Sequence, residues 1–183
     1  MNEGMFEGKY VRLTAVNKEI DAELFATWNR DSDYVRLADI GPSCLYPVKQ
    51  IQDWMDESDE NECNFIIETT ADNKRIGSVG LDDLNWTARS AWVGIGIGDP
   101  HCRGKGYGTE AMNLILRYAF NELNLHRVQL GVFEINKSAI RSYEKCGFKN
   151  EGIEREFVCK EGKRWNVVSM GILQTEWQLE QEV

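Results

Sequence analysis

Apolar positions along this chain fall into two periods. Between residues 90 and 97, Ala91, Val93, Ile95 and Ile97 alternate with Trp92, Gly94 and Gly96, the two-residue repeat of a strand. Residues 109–123 place Met112, Ile115, Ala119 and Leu123 on one stripe, which predicts a core-facing helix. Val128, Leu130 and Val132 return to the strand period over Arg127–Phe133. Asn136, Ala139, Ile140 and Tyr143 then share one face of a second helix over Asn136–Cys146, with Asn136 suited to its N-cap and Gly147 to the position after its C-cap. The same pattern predicts strands at Tyr10–Val16, Asn64–Thr69, Arg75–Leu84, Ile153–Cys159 and Arg164–Leu173, and helices at Lys18–Trp28 and Val48–Asp59. Turns are expected at Asp72-Asn73, Asn85-Trp86-Thr87 and Lys160-Glu161-Gly162-Lys163. Strands first, then a βαβα unit, imply an α/β chain with a mixed sheet and helices on both faces. No repeat or Pro-rich linker interrupts it, so residues 1–183 are expected to form a single domain.

Between the 90–97 strand and the following helix lies Arg-Gly-Lys-Gly-Tyr-Gly, residues 103–108. Glycines here leave backbone N–H groups bare, and a helix start adds roughly half a positive charge, so the segment is expected to cradle a phosphate or pyrophosphate. A P-loop is excluded because no Gly-Lys-Ser/Thr ending follows the required spacing. A dinucleotide fingerprint is excluded because the spacing is G-x-G-x-G rather than G-x-G-x-x-G. Gly94 and Gly96 leave one face of the preceding strand bare for close approach by an extended ligand, and Asp99-Pro100 ends that strand.

The segment IGIGDPHCRGKGYGTEAM, followed by VFEINKSAIRSYEKCGF, resembles the acetyl-CoA-binding core of the GNAT family of N-acetyltransferases. Arg103, Gly106 and Gly108 match that family's R/Q-x-x-G-x-G/A loop. Asn136, Ala139, Tyr143, Gly147 and Phe148 match its second signature. Tyr10-Val11-Arg12-Leu13 and Trp28-Asn29 resemble the branch holding ribosomal-protein N-terminal and spermidine acetyltransferases, and the likeness runs over residues 8–177. The resemblance implies a central seven-stranded mixed sheet flanked by helices. It also implies acetyl-CoA as the cofactor, with Ile95, Gly96 and Ile97 on the strand, Arg103, Gly104, Lys105, Gly106, Tyr107, Gly108 and Thr109 in the loop, and Asn136, Ser138 and Tyr143 beyond it as its binding residues. Lys137 and Arg141 are weaker candidates for its nucleotide end. Relatives often pair, so a homodimer is expected.

The net charge of −9 is unevenly placed. Residues 1–98 hold 18 acids and 9 bases, whereas residues 99–183 hold 12 of each. The acidic half is the one the resemblance gives to the acceptor, which favours a cationic acceptor such as a small amine, a polyamine or a peptide N-terminus; solubility alone would explain the same excess. Without a basic surplus, nucleic acid is disfavoured as a partner. No apolar run reaches membrane-spanning length and no signal-peptide pattern is present, so no membrane partner is expected. Five scattered cysteines, none in a C-x-x-C pair, argue against a disulfide framework or a metal site and favour a cytoplasmic setting.

The chemistry implied is direct attack of a neutral amine on the thioester carbonyl, through a tetrahedral intermediate whose oxyanion is met by a backbone N–H in the 93–97 strand. Tyr143 matches the residue that protonates the leaving thiolate in many relatives, and as a phenol it stays protonated at pH 7. Its other reading is packing beside the cofactor. Many members of the branch carry Glu where this chain has Trp92, and indole cannot take a proton. The general base is therefore expected from Asp82 first, with Glu68, Asp83, Glu134 or a water chain as alternatives. Trp92, together with Trp28, Tyr34, Tyr46 and Trp54, is a candidate to shape the acceptor pocket. Cys102 adjoins the loop, but direct transfer needs no covalent enzyme intermediate. The competing reading of the whole chain is a non-catalytic acyl-CoA-binding or partner-recognition module that has lost its base.

Overall fold

A computed structural model describes residues 4–57 and 60–181. The chain runs β1 (Val11–Ala15), α1 (Lys18–Trp28), α2 (Ser32–Ala38), α3 (Val48–Asp56), β2 (Cys63–Thr69), β3 (Arg75–Asn85), β4 (Ser90–Ile97), α4 (Tyr107–Arg117), β5 (Arg127–Phe133), α5 (Lys137–Lys145), β6 (Lys149–Lys160), β7 (Lys163–Leu173) and α6 (Gln174–Gln181). The strands form one seven-stranded sheet in the order β1-β2-β3-β4-β5-β7-β6. Every neighbouring pair is antiparallel except β4 and β5, which α4 joins as a crossover.

Alternation along the strands separates two faces. On one, Val79, Leu81, Ala91 and Val93 pack with Met112, Ile115, Leu116 and Phe120 in the main core, where each fully buried large apolar side chain contributes about 1.5–3 kcal/mol of transfer free energy. Glu110 on α4 ties this layer to the N-terminal segment by accepting from the backbone N–H of Lys9, Tyr10 and Val11, each at 2.8 Å. On the other face lie Gly94 and Gly96. There Trp28 of α1 occupies the space a side chain on Gly98 would need, and the Tyr34 hydroxyl of α2 occupies that of Gly96.

Several boundaries differ from the pattern-based expectation, each for a physical reason. The helix expected over 109–123 starts at Tyr107, because Gly106 in left-handed geometry serves as its N-cap. It ends at Arg117 and continues as a π-helical turn from Tyr118 to Glu122, where Leu123 N donates to Tyr118 O. α3 ends at Asp56; the remainder of its expected span, to Asp59, reaches outside the described residues, as do residues 1–3. β6 begins at Lys149 rather than Ile153, since irregularities at Asn150/Gly152 and Glu154/Val158 break the two-residue alternation that marks a strand. Two helices carried no apolar stripe to announce them. α2 has no buried residue and rests on Asp31 as its cap, whose carboxylate accepts from Asp33 N and Tyr34 N. α6 follows β7 directly, with Glu176 accepting from Leu173 N at 3.0 Å and Trp177 packed 5.5 Å from Phe120. Among the described residues, no helix is long and apolar enough to cross a membrane.

Candidate active site

β4 and β5 pair at only three positions, Ser90 with Arg127, Ala91 with Val128 and Trp92 with Gln129. Beyond Trp92, β4 continues to Ile97 paired only with β3, while β5 continues to Phe133 paired only with β7. Two parallel strands that separate in mid-sheet leave facing backbone groups outside any ladder, an unfavourable arrangement unless something else meets them. The cleft opens toward the 103–108 loop.

In that loop Gly104 and Gly106 have φ of +72° and +87°, and a β-carbon on either would find nothing within 4 Å. The backbone is thus held in a conformation only glycine adopts without strain, around open space, and no side chain caps the helix that follows. These features fit a diphosphate placed against bare amides at a helix start. Tyr107 and Thr109 begin α4, and the Thr109 hydroxyl meets the Ser142 hydroxyl at 2.8 Å, fastening the loop's helix to α5. Lys105 is exposed and paired with no carboxylate among the described residues.

Arg103 departs from the simple expectation. Its Nε donates to Ile97 O at 2.8 Å, Nη2 to Gly98 O at 2.7 Å and Nη1 to the Asp31 carboxylate at 2.7 Å. The guanidinium also lies 4.9 Å from the Tyr34 ring. Its side chain is engaged by the protein, toward α2.

Ile95 and Ile97 pack against the core, while Gly96 faces Tyr34. Asn136 caps α5, accepting from Ala139 N at 3.2 Å; Lys137, Ser138 and Arg141 are exposed on that helix. Tyr143 packs 6.0 Å from Phe148, and burial, with a smaller effect of Cys146, pushes its pKa up to about 12. At neutral pH it is therefore a neutral hydroxyl. Cys102 is buried, and burial raises its thiol pKa, which makes it a poor nucleophile.

The four carboxylates considered as bases lie in different surroundings. Asp82 stands opposite Trp92 on β3, with Oδ2 3.7 Å from the point where a β-carbon on Gly94 would sit. Half-burial first, then the charges of Glu62 and Asp83, raise its pKa above the usual Asp range. Asp83 is turned outward at the bulge, with φ of 50°. Glu68 is held by Arg12 at 2.5 Å and faces Arg75 at 3.7 Å. Glu134 accepts from Asn166 N and Nδ2, both at 3.0 Å. Trp92 is 40% exposed, its ring reaching to within 3.9 Å of where a β-carbon on Gly131 of β5 would lie.

Trp28, Tyr34, Tyr46 and Trp54 surround one cavity of about 300 Å³ together with Phe25 and Ile51. Among the described residues, the one acid lining it is Asp39. Three further acids of the N-terminal half are paired with bases: Asp21 with Arg75, Asp56 with Lys18, Asp53 with Lys49.

A seven-stranded mixed sheet is what the GNAT resemblance implied, and comparison with known proteins agrees. The profile of the Acetyltransferase (GNAT) domain matches residues 11–149. The chain belongs to this family. It is 40% identical over 163 residues to "Probable N-acetyltransferase YjcK" of Bacillus subtilis, covering 84% of this chain and 88% of that protein. It is 38% identical over 121 residues to the spermidine N(1)-acetyltransferase of Vibrio cholerae, covering 65% and 68%. A solved structure of spermidine N-acetyltransferase from Vibrio cholerae, in complex with CoA and spermine, superposes with a TM-score of 0.84 at 29% identity, covering 92% of this chain and 98% of that one. The GNAT chain is thus an acetyl-CoA-dependent N-acetyltransferase with the family's α/β fold, and the non-catalytic reading is set aside.

Proposed function

We propose that the enzyme acetylates the primary amine of a small molecule, with polyamines as the leading class and other small amines or a peptide N-terminus as the remaining ones. The observation that carries this reading is Asp82, a carboxyl group of raised pKa beside the bare Gly94 face, next to the point where β4 and β5 part. The acceptor class is supported by the similarity to spermidine acetyltransferases.

The bound donor supplies an acetyl group on a thiolate leaving group. For this chain we assign its diphosphate to the bare amides between residues 103 and 109, with exposed Lys105 as a counter-charge. Ile95, Gly96, Ile97 and Asn136 would hold the pantetheine arm, and Ser138 lies beside it at the start of α5. To a backbone N–H of the 93–97 segment, a stretch outside the β5 ladder, we assign the role the resemblance implies, of meeting negative charge developing on the carbonyl oxygen, a contribution of the kind whose removal costs about 10²–10³ in rate. Alkyl ammonium groups have a pKa near ~10.4, so the acceptor must lose a proton before it attacks. Asp82 takes that proton, directly or through water. Its raised pKa brings it closer to the operating range of a base. Tyr143, protonated throughout neutral pH, donates to the departing sulfur. Trp92 presents an aromatic face beside Asp82, against which an alkyl chain or an ammonium group can rest. A homodimer, which rests on the resemblance, and a cytoplasmic setting, which rests on the scattered cysteines, complete the reading.

The test is release of free CoA thiol from acetyl-CoA in the presence of polyamines, simple alkyl amines, amino acids and basic peptides. Turnover of one polyamine, with the mass gain of one acetyl group on the amine, is the expected result. A panel with no turnover above spontaneous hydrolysis would overturn the assignment of the acceptor.

A further inference from the structure

The arginine of the phosphate loop reaches away from the loop, and its contacts define a strap. α2 spans only seven residues and none of them is fully buried. It is held over the glycine face of β4 by polar contacts at its two ends. At the N-terminal end, Arg103 bonds the Asp31 carboxylate that caps α2 and lies against the ring of Tyr34. At the C-terminal end, Lys160 from the β6–β7 hairpin donates to Arg36 O at 2.9 Å and to Asp39 O. Between these two attachments the Tyr34 hydroxyl stands over Gly96 and lines the aromatic cavity. At the strand rise of ~3.3 Å per residue, Gly96 lies roughly 7 Å along β4 from Gly94, where Asp82 sits.

We propose that Arg103 is a positioning residue for the acceptor: through Asp31 and Tyr34 it holds α2 at a fixed height above β4 and so sets the space between Tyr34 and Asp82 in which the amine is received. This rests on the acceptor reading given above. Arg103 touches both the end of β4, through the carbonyls of Ile97 and Gly98, and α2, through Asp31 and Tyr34. Its planar fork satisfies three acceptors in fixed directions, which a lysine cannot reproduce. The Asp31 carboxyl is correspondingly held below its usual pKa, first by the Arg103 contact. Burial keeps Tyr34 protonated, so it offers the acceptor a neutral hydroxyl.

The proposal separates two binding events that a phosphate-ligand role would merge. In Arg103→Lys and, independently, Asp31→Asn, the dissociation constant for acetyl-CoA measured by calorimetry is expected to stay within about threefold of the parent, because the loop amides are untouched. Hydrogen exchange at the amides of residues 32–38 is expected to accelerate about tenfold, as fits the loss of a charge-assisted bond, while exchange at 107–112 is unchanged. The amine KM is expected to rise about tenfold with a smaller change in kcat. Tyr34→Leu should reproduce the KM effect, and combining it with Arg103→Lys should add less than the two single effects. A tenfold or greater loss of acetyl-CoA affinity in Arg103→Lys, with exchange at α2 unchanged, would make Arg103 a phosphate ligand and overturn the proposal. So would an Asp31→Asn variant with parental exchange at α2. Calorimetry and exchange need no turnover, so a wrong acceptor assignment shows as a wild-type chain that binds acetyl-CoA and acetylates nothing in the panel.

Discussion

Asp82 on β3 reaches diagonally to Gly94 on β4, its carboxylate oxygen 3.7 Å from the place of the missing β-carbon. A carboxyl that is half-buried and flanked by Glu62 and Asp83 carries a raised pKa. Two opposite consequences follow from one substitution. Asp82→Asn removes the proton acceptor, so kcat/KM for the amine should fall by about 10²–10⁴. The folded state binds the Asp82 proton more tightly than the unfolded chain does. Stability is therefore lost as pH rises from the ordinary Asp value of ~3.9 through the raised one. The Asn variant escapes that loss, so its thermal midpoint at pH 7 should equal or exceed the parent's, with the difference closing below about pH 4. Thermal scans at pH 3.5 and 7, paired with initial rates, check both halves. A less stable Asn variant with parental turnover would remove Asp82 from the mechanism.

Gly106 stands at φ +87° with open space where a side chain would go. Gly106→Val should therefore act twice. The left-handed backbone should cost about 1–2 kcal/mol of stability, read as a lower urea midpoint. The new side chain would project into the space assigned to the diphosphate, so acetyl-CoA affinity should fall by more than tenfold, well beyond the stability effect. Undiminished affinity by calorimetry would refute the placement of the phosphates.

How much of this was legible in the sequence depended on whether the signal was local. Gly106 and Gly147 were legible because positive φ selects glycine, and both have it, at +87° and +90°. The β4–α4–β5–α5 order was legible from its periods. α2 was not, because a seven-residue helix without a buried face has no stripe to read. Its one signal was Asp31 before Ser32, a cap that could equally have opened a turn. The use of Arg103 was hidden for a different reason: its partner Asp31 lies 72 residues away. Nor could spacing choose among the acids. Glu68 and Asp82 both sit on strands of the same sheet, but only their neighbours differ, two arginines for one and two carboxylates for the other.

Tyr143 has the ring environment of a packing residue and the protonation state of a donor. Tyr143→Phe keeps the volume against Phe148 and removes only the hydroxyl. If the hydroxyl protonates the leaving sulfur, kcat should fall by about 10²–10⁴ with acetyl-CoA affinity nearly unchanged. Because its pKa is pushed up to about 12, the parent enzyme should show no alkaline loss of kcat from this group below pH 10. Steady-state rates from pH 6 to 10 on both proteins test this. Parental kcat in the Phe variant would leave Tyr143 a packing role.

Trp92 offers the sharpest test of the base, because Asp82 is its cross-strand partner. Members of the resembling branch often carry Glu there, and a second carboxylate so close to Asp82 would disfavour ionising both. Trp92→Glu should therefore raise the pKa of Asp82 further and move the acid limb of the kcat/KM profile to higher pH, by about one unit or more. Trp92→Gln, similar in size and uncharged, should leave the limb in place while losing the aromatic face, so its amine KM should rise without a pH shift. If Glu and Gln give the same acid limb, the titrating group is not beside residue 92. Two carboxylates at this spacing would titrate as a pair, so the shifted limb should be read as a property of both. Should Trp92→Glu also raise kcat near neutral pH, the native tryptophan would have been chosen for the acceptor it holds rather than for the speed of proton removal.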